Sequence, residues 1–189
     1  GLFEDDSLTI VNMECPVTNE GSAVAKEFTF RCDPKALGAA RKAGVEVANL
    51  GNNHSQDFGK EAMLDSRQTL IDARIAQGGA GKNAAEANEP ALFDIDGWKV
   101  AVLGFGGVVP SGDWIATKTT AGMADGDDTA SMVRAIKDAK RDADIVIVMI
   151  HWGVELDTEP RAEDVARAHA MIDAGADAIF GGHSHRLQP

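Results

Sequence analysis

Apolar residues along this chain gather into short runs closed by glycine, asparagine or aspartate, and these runs alternate with stretches in which apolar positions recur every three or four residues. Short β-branched runs predict strands, and the three-to-four spacing predicts helices. On this reading "SLTIVNME" (7–14) is a strand and "CPVTNEGS" a loop. "DPKALGAARKAG" is a short helix with Asp33 as N-cap, Pro34 at its first position and Gly44 past its end. "VEVANL" (45–50) is the next strand, and residues 59–74, with Met63, Leu64, Leu70 and Ile71 at helical spacing, repeat the strand-and-helix pair. "ALFDIDGWKVAVLGF" (91–105) is a hairpin about Asp96-Gly97. Residues 106–128, with glycines, Pro110 and four aspartates, suit a long surface loop over a site. A helix carrying Met132, Val133, Ile136, Ala139 and Ala143 leads to "DIVIVMI" (144–150), whose unbroken apolar run predicts a strand covered on both faces. A last helix opens at Pro160, closes at Gly175 and leads to the strand "ADAIF" (176–180). Strands alternating with helices, plus one hairpin, imply a single layered α/β domain over residues 1–189.

The residues just past each strand turn the picture from fold to chemistry. Glu14 comes after the first strand, Asn53 and His54 after the second, His151 after the run at 145–150, and His183 and His185 after the last, in "GGHSH". Four of the five histidines thus stand just beyond the C-terminal end of a strand, where open α/β sheets build their sites. His169 falls mid-helix and is given no role. Each piece alone has an ordinary reading. His-x-His is a loop pair, "NNH" a turn with Asp57 capping the next helix, His151 a satisfied core histidine and Glu14 a strand-end charge. Together, imidazole, carboxylate and amide oxygen suit a divalent metal such as zinc, manganese or iron. Glu155, after "HWGV", reads as a solvated loop carboxylate or as an acceptor supporting the site.

Composition narrows the partners. A formal charge of −12 leaves no broad basic surface for phosphate backbones, so nucleic acid is excluded as a general partner, and an anionic substrate needs local help such as a metal. No stretch approaches the roughly 18 apolar residues of a membrane helix, and the opening "GLFEDDSL" is acidic where a secretory signal is basic. The two cysteines, Cys15 and Cys32, are separated as neither a redox pair nor a zinc knuckle, and are expected as buried or free thiols.

The constellation resembles the calcineurin-like metallophosphoesterases, in which "GNH" and "GHxH" motifs and a separate histidine surround two metals. Here "NNH" stands at 52–54 and "GHSH" at 182–185. The wider context is similar to the bacterial poly-γ-glutamate capsule biosynthesis (CapA-type) family, a branch of that fold. The lines that carry this are "VNMECPVTNEG", "NLGNNHSQDFGKEAMLDSRQTL", "GGAGKNAAEANEPA", "IHWGVEL" and "DAGADAIFGGHSHRLQP". The resemblance implies a layered metallophosphoesterase-like sandwich, with mixed sheets and helices on the outer faces, incomplete at both ends: an earlier strand ending in a Gly-Asp motif is expected before this segment and further strands after it. The "GDxxD" segment is absent, and Glu14 stands where a metal-bridging aspartate is expected.

Carried over, the resemblance gives one metal Asn53, His151 and His183, with Glu14 as a shared ligand. The second metal keeps His185 and Glu14 but lacks an aspartate, so at most one well-occupied ion is expected. His54 becomes the proton donor to a leaving group, with Asp57 orienting it or capping the helix. Because histidine binds metal only when deprotonated, occupancy is expected to fall below about pH 6. Two function classes remain open. One is a metal-dependent hydrolase of phosphoester or related bonds in capsule or cell-envelope polymer biosynthesis. The other is a noncatalytic capsule-assembly module holding an anionic polymer. The resemblance also implies an extracytoplasmic place in the bacterial envelope, with membrane-associated capsule machinery reached through parts outside this chain.

Overall fold

The computed structural model describes Phe3 and residues 5–188. β1 (Thr9–Asn12) is followed by a 3-10 turn (Pro34–Ala36) that runs into α1 (Leu37–Lys42). Asp33 caps this start, its side chain accepting from the Lys35 N–H, as the sequence predicts. β2 (Val45–Asn49), α2 (Lys60–Asp72), β3 (Ala76–Gly78), β4 (Ala80–Gly81) and α3 (Ala84–Ala87) come next. The hairpin β5 (Ala91–Ile95) and β6 (Trp98–Gly106) turns on Asp96 and Gly97. Both turn residues have positive φ, the backbone twist a two-residue hairpin needs. β7 (Gly122–Met123), α4 (Thr129–Ala139), β8 (Ile145–Trp152), α5 (Ala162–Ala174) and β9 (Ala178–His183) complete the described elements.

β1, β2 and β3 form a parallel sheet in that order, and a second, mixed sheet runs β5-β6-β8-β9 with only the hairpin antiparallel. Between the two sheets lie Val47, Val100 and Val102, with Ile10, Phe93 and Ile147 packed against them. Leu37, Met63 and Leu70 of α1 and α2 pack on Ala48 and Leu50 of the first sheet's outer side. Met132 and Ile136 of α4 and Met171 of α5 pack on Leu103, Phe105 and Val148 of the second. The order is helix, sheet, sheet, helix: the layered sandwich expected, with helices on the outer faces. Burial of these apolar faces is the main driving term, at about 25 cal/mol per Å².

The sheets approach closely because glycine occupies the crossing points. A Cβ on Gly104 would lie 2.3 Å from Asn49 Oδ1, and one on Gly51 2.6 Å from the Phe105 carbonyl carbon. The parallel register then aligns the strand ends. Asn12 is opposite Asn49, His151 opposite Gly106, and His183 opposite Trp152, so one edge of the sandwich receives the strand-end residues of both sheets.

Three expectations need correction. Residues 106–128 are not a surface loop along their length: Trp114, Met123 and Ala124 are buried, and β7 pairs with β4. The signal failed because β4 is only Ala-Gly, too short to read as a strand. β8 is buried on one face (Val146, Val148, Ile150) and half-buried on the other, since the second sheet extends past the first. The last helix begins at Ala162, because Arg161 is still extended; Gly175, in the left-handed conformation, ends it as predicted.

Candidate metal centre

His151 is the penultimate residue of β8 and is almost wholly buried. Its Nε2 lies 2.8 Å from Asn53 Oδ1, 3.1 Å from His183 Nδ1 and 3.5 Å from Glu14 Oε1. One ligand atom each from Glu14, His151 and His183 falls within 4.8 Å of the others. Two oxygens and a second imidazole nitrogen therefore face a single imidazole nitrogen, which with one proton or one lone pair can serve only one of them. A cation satisfies all four, so the donor set fits a divalent metal with mixed nitrogen and oxygen ligands. The backbone carries strain at one member of this set: His183 has a φ of 94°, a value that L side chains seldom adopt.

Asn12, which the sequence reading passed over, supports the cluster from β1. Its Nδ2 donates to Glu14 Oε2 at 3.0 Å and lies 3.2 Å from His151 Nδ1. Its Oδ1 accepts from Asn49 and Asn52, so the amide is held by neighbours on β2 and the turn beyond. The available signal was its position: it ends β1 two residues before Glu14, on the same edge as the other strand-end residues.

His54 and Asp57 make a second constellation beside the first. Asp57 is fully buried and its Oδ2 lies 2.7 Å from His54 Nδ1. The same carboxylate accepts from Lys26 Nζ at 2.5 Å and from the Phe30 N–H at 2.7 Å. It does not cap α2, whose N-cap is Gly59 with no side-chain bond. Of the two roles open to Asp57, geometry provides the contact to His54 only. His185 stands apart from the ligand group. It is exposed, with its Nε2 4.0 Å from Glu155 Oε1.

The expectation of free thiols is wrong, because Cys15 and Cys32 form a disulfide with Cα atoms 5.8 Å apart. Residue separation held no signal here. The two positions are brought together by a bridge between Val17 and Cys32 and by the Cys32 N–H donating to the Pro16 carbonyl.

Burial sets the electrostatics. It depresses the His151 pKa to about 3, with His183, His54 and His185 adding repulsion. It also lowers His183 against the pull of Glu155, and raises Glu14 against the pull of His54 and His185. A histidine kept neutral in the fold but free to protonate near 6.5 when unfolded makes the unfolded chain bind more protons between those values. Metal-free protein should therefore lose stability as pH falls from about 6.5 towards about 3, by up to about 1.4 kcal/mol per unit from this group. Urea midpoints of chelator-treated wild type and His151→Gln across that range check this: the variant's curve should be flatter.

The model of the family described as bacterial capsule synthesis protein PGA_cap matches residues 1–189. The chain belongs to this family. It is 35% identical over 184 residues to the capsule biosynthesis protein CapA of Bacillus anthracis, covering 94% of this chain and 44% of that protein. It is 32% identical over 191 residues to the PGA biosynthesis protein CapA of Bacillus subtilis strain 168, covering 100% of this chain and 50% of that protein. This PGA_cap chain thus spans about half the length of the curated relatives it matches. A solved structure of a candidate 5′-nucleotidase from Staphylococcus aureus, in complex with α-ketoglutarate, aligns with a TM-score of 0.56 at 18% identity. It covers 82% of this chain and 34% of that one. That likeness is one of fold, and the PGA_cap chain has the metallophosphoesterase-like α/β architecture expected of it. Among the described residues no helix is long and apolar enough to cross a membrane.

Proposed function

We propose that this chain is the metal-binding part of a hydrolase acting on a phosphoester or related bond in the biosynthesis of a bacterial capsule or cell-envelope polymer. The observation that carries the reading is the convergence of Asn53, His183 and Glu14 on His151 Nε2, with the His54–Asp57 pair next in the chain to one of those ligands. The capsule context rests on family membership and on the names of the two Bacillus proteins.

Glu14, Asn53, His151 and His183 would hold one divalent ion, manganese, zinc or iron. That ion supplies Lewis acidity towards a phosphoryl oxygen or an attacking water. The remaining work falls to the chain. With Nδ1 held by Asp57, the His54 ring keeps one orientation and leaves Nε2 to hand a proton to the departing oxygen. Asn12 fixes Glu14 by its outer oxygen, Oε2. His185, exposed near the centre, faces substrate or a more weakly held second ion. The Cys15–Cys32 disulfide supports an extracytoplasmic setting, since such bonds persist in oxidising compartments.

The whole protein, loaded with manganese or zinc and offered a panel of phosphomonoesters and phosphodiesters, tests the reading. Metal-dependent turnover is expected. Bound metal without turnover on any substrate would favour a noncatalytic module that holds an anionic polymer, a reading in keeping with His185 standing outside the ligand group.

A further inference from the structure

Residues 15–32 form an arm closed at its base by the disulfide. Its first residues are seated on α2, where the Val17 N–H donates to Ser66 Oγ, Thr18 Oγ1 donates to Asp65 and Val17 is buried in the core, while the contacts of its outer part, residues 24–30, gather on Asp57 and its neighbours. The Val24 N–H donates to the Asp57 carbonyl, the Phe30 N–H to Oδ2, and Lys26 Nζ to Oδ1. Lys26 also reaches the Asn53 carbonyl and lies 3.1 Å from His54 Nδ1. The Phe30 ring, 47% exposed on its outer side, stacks on the His54 imidazole with centroids 4.1 Å apart and planes 25° apart. So the edge of the imidazole is set by Asp57, one face by Phe30, and the carboxylate that sets the edge is itself pinned by Lys26. The disulfide joins Cys32, two residues after Phe30, to Cys15, the residue after Glu14.

We propose that the disulfide-closed arm is the positioning element of the His54–Asp57 pair, with Lys26 and Phe30 as positioning residues and the Cys15–Cys32 bond as the tie that keeps them seated. This rests on the reading of His54 as proton donor. A carboxylate whose two oxygens are taken by three donors cannot rotate, and a ring stacked on one face cannot tilt towards that face. Phe30 is half in solvent and belongs to none of the apolar cores, so its stacking on His54 serves no core.

The test uses the whole protein loaded with zinc, with the His54 ring protons followed by NMR and turnover followed on the best substrate of the panel. Phe30→Leu should move the His54 ring signals by removing the ring current of the stacked aromatic. It should lower kcat on the order of 10- to 100-fold, the scale of a misplaced catalytic group, with KM within about twofold. Wild type treated with a non-thiol reductant should move the same signals in the same direction and lose kcat likewise, while keeping its metal. Lys26→Met should do so too, provided its melting curve shows a folded protein; the reductant arm needs no substitution and covers the case in which it does not fold. His54 signals unchanged by both Phe30→Leu and reduction would overturn the proposal, as would signals that move while kcat stays constant. A protein without turnover on any substrate defeats the hydrolase reading alone, and the His54 signals still decide whether the arm holds the ring.

Discussion

Alanine at His151 or His183 should reduce tightly bound manganese or zinc to background, while His169→Ala leaves it unchanged. His169 lies on α5, mid-helix, away from the strand ends that carry the cluster. His151 supplies the nitrogen on which the other donors converge, and His183 lies 3.1 Å from it, so removing either breaks the set itself. The loss should exceed the 10- to 100-fold typical of changes to groups that merely support a ligand. Metal analysis of the purified whole protein and its three variants, with chelator competition for affinity, provides the check. Metal retained in His183→Ala, or lost in His169→Ala, would mean that the ligand assignment is wrong. The acid limit also shifts from the sequence expectation. With burial holding His151 near 3, protons compete for its nitrogen only well below pH 6, and burial lowers His183 in the same direction.

A second large effect is expected at His54. His54→Gln should keep the metal and lower kcat by about 10²- to 10⁴-fold, the usual contribution of a positioned proton donor. The size of the loss should depend on the leaving group. A substrate that departs as a stable nitrophenolate needs no proton and should lose little; an alkyl ester should lose most. Equal losses on both substrates would remove His54 from the role of acid. Asp57→Asn should show the same pattern with a smaller drop, since His54 remains but its Nδ1 partner no longer carries charge.

Much of this site was legible in the sequence because strand periodicity locates strand ends, and strand ends on one edge of an α/β sheet converge. That rule and side-chain chemistry gathered Glu14, Asn53, His54, His151, His183 and His185 into one candidate set, and the division of the set into metal ligands and proton donor came from the family resemblance. Asp57 was ambiguous, since the same spacing after His54 serves a helix cap or a ring partner, and only the position of Gly59 as N-cap separates them. Asn12 and Lys26 were hidden for different reasons. Asn12 reads as an ordinary strand residue, and Lys26 lies in a segment with no periodic pattern whose course is set by contacts to Asp57. The disulfide was hidden because sequence separation says nothing about two positions that a loop folds together. In the fold, long periodic elements were legible and the two-residue strands β4 and β7 were not, since Ala-Gly and Gly-Met acquire strand character only from each other.

The proposed metal donors are drawn from position 14 to position 183, and from the strand ends of both sheets. No local piece of the chain can assemble them, so ion capture has to wait until the two sheets have formed and docked, the slow, non-local step of a topology of this kind. A metal ion bound only by the finished arrangement would then act as a keystone. Its binding would slow unfolding of both layers together and merge what could be two melting transitions into one.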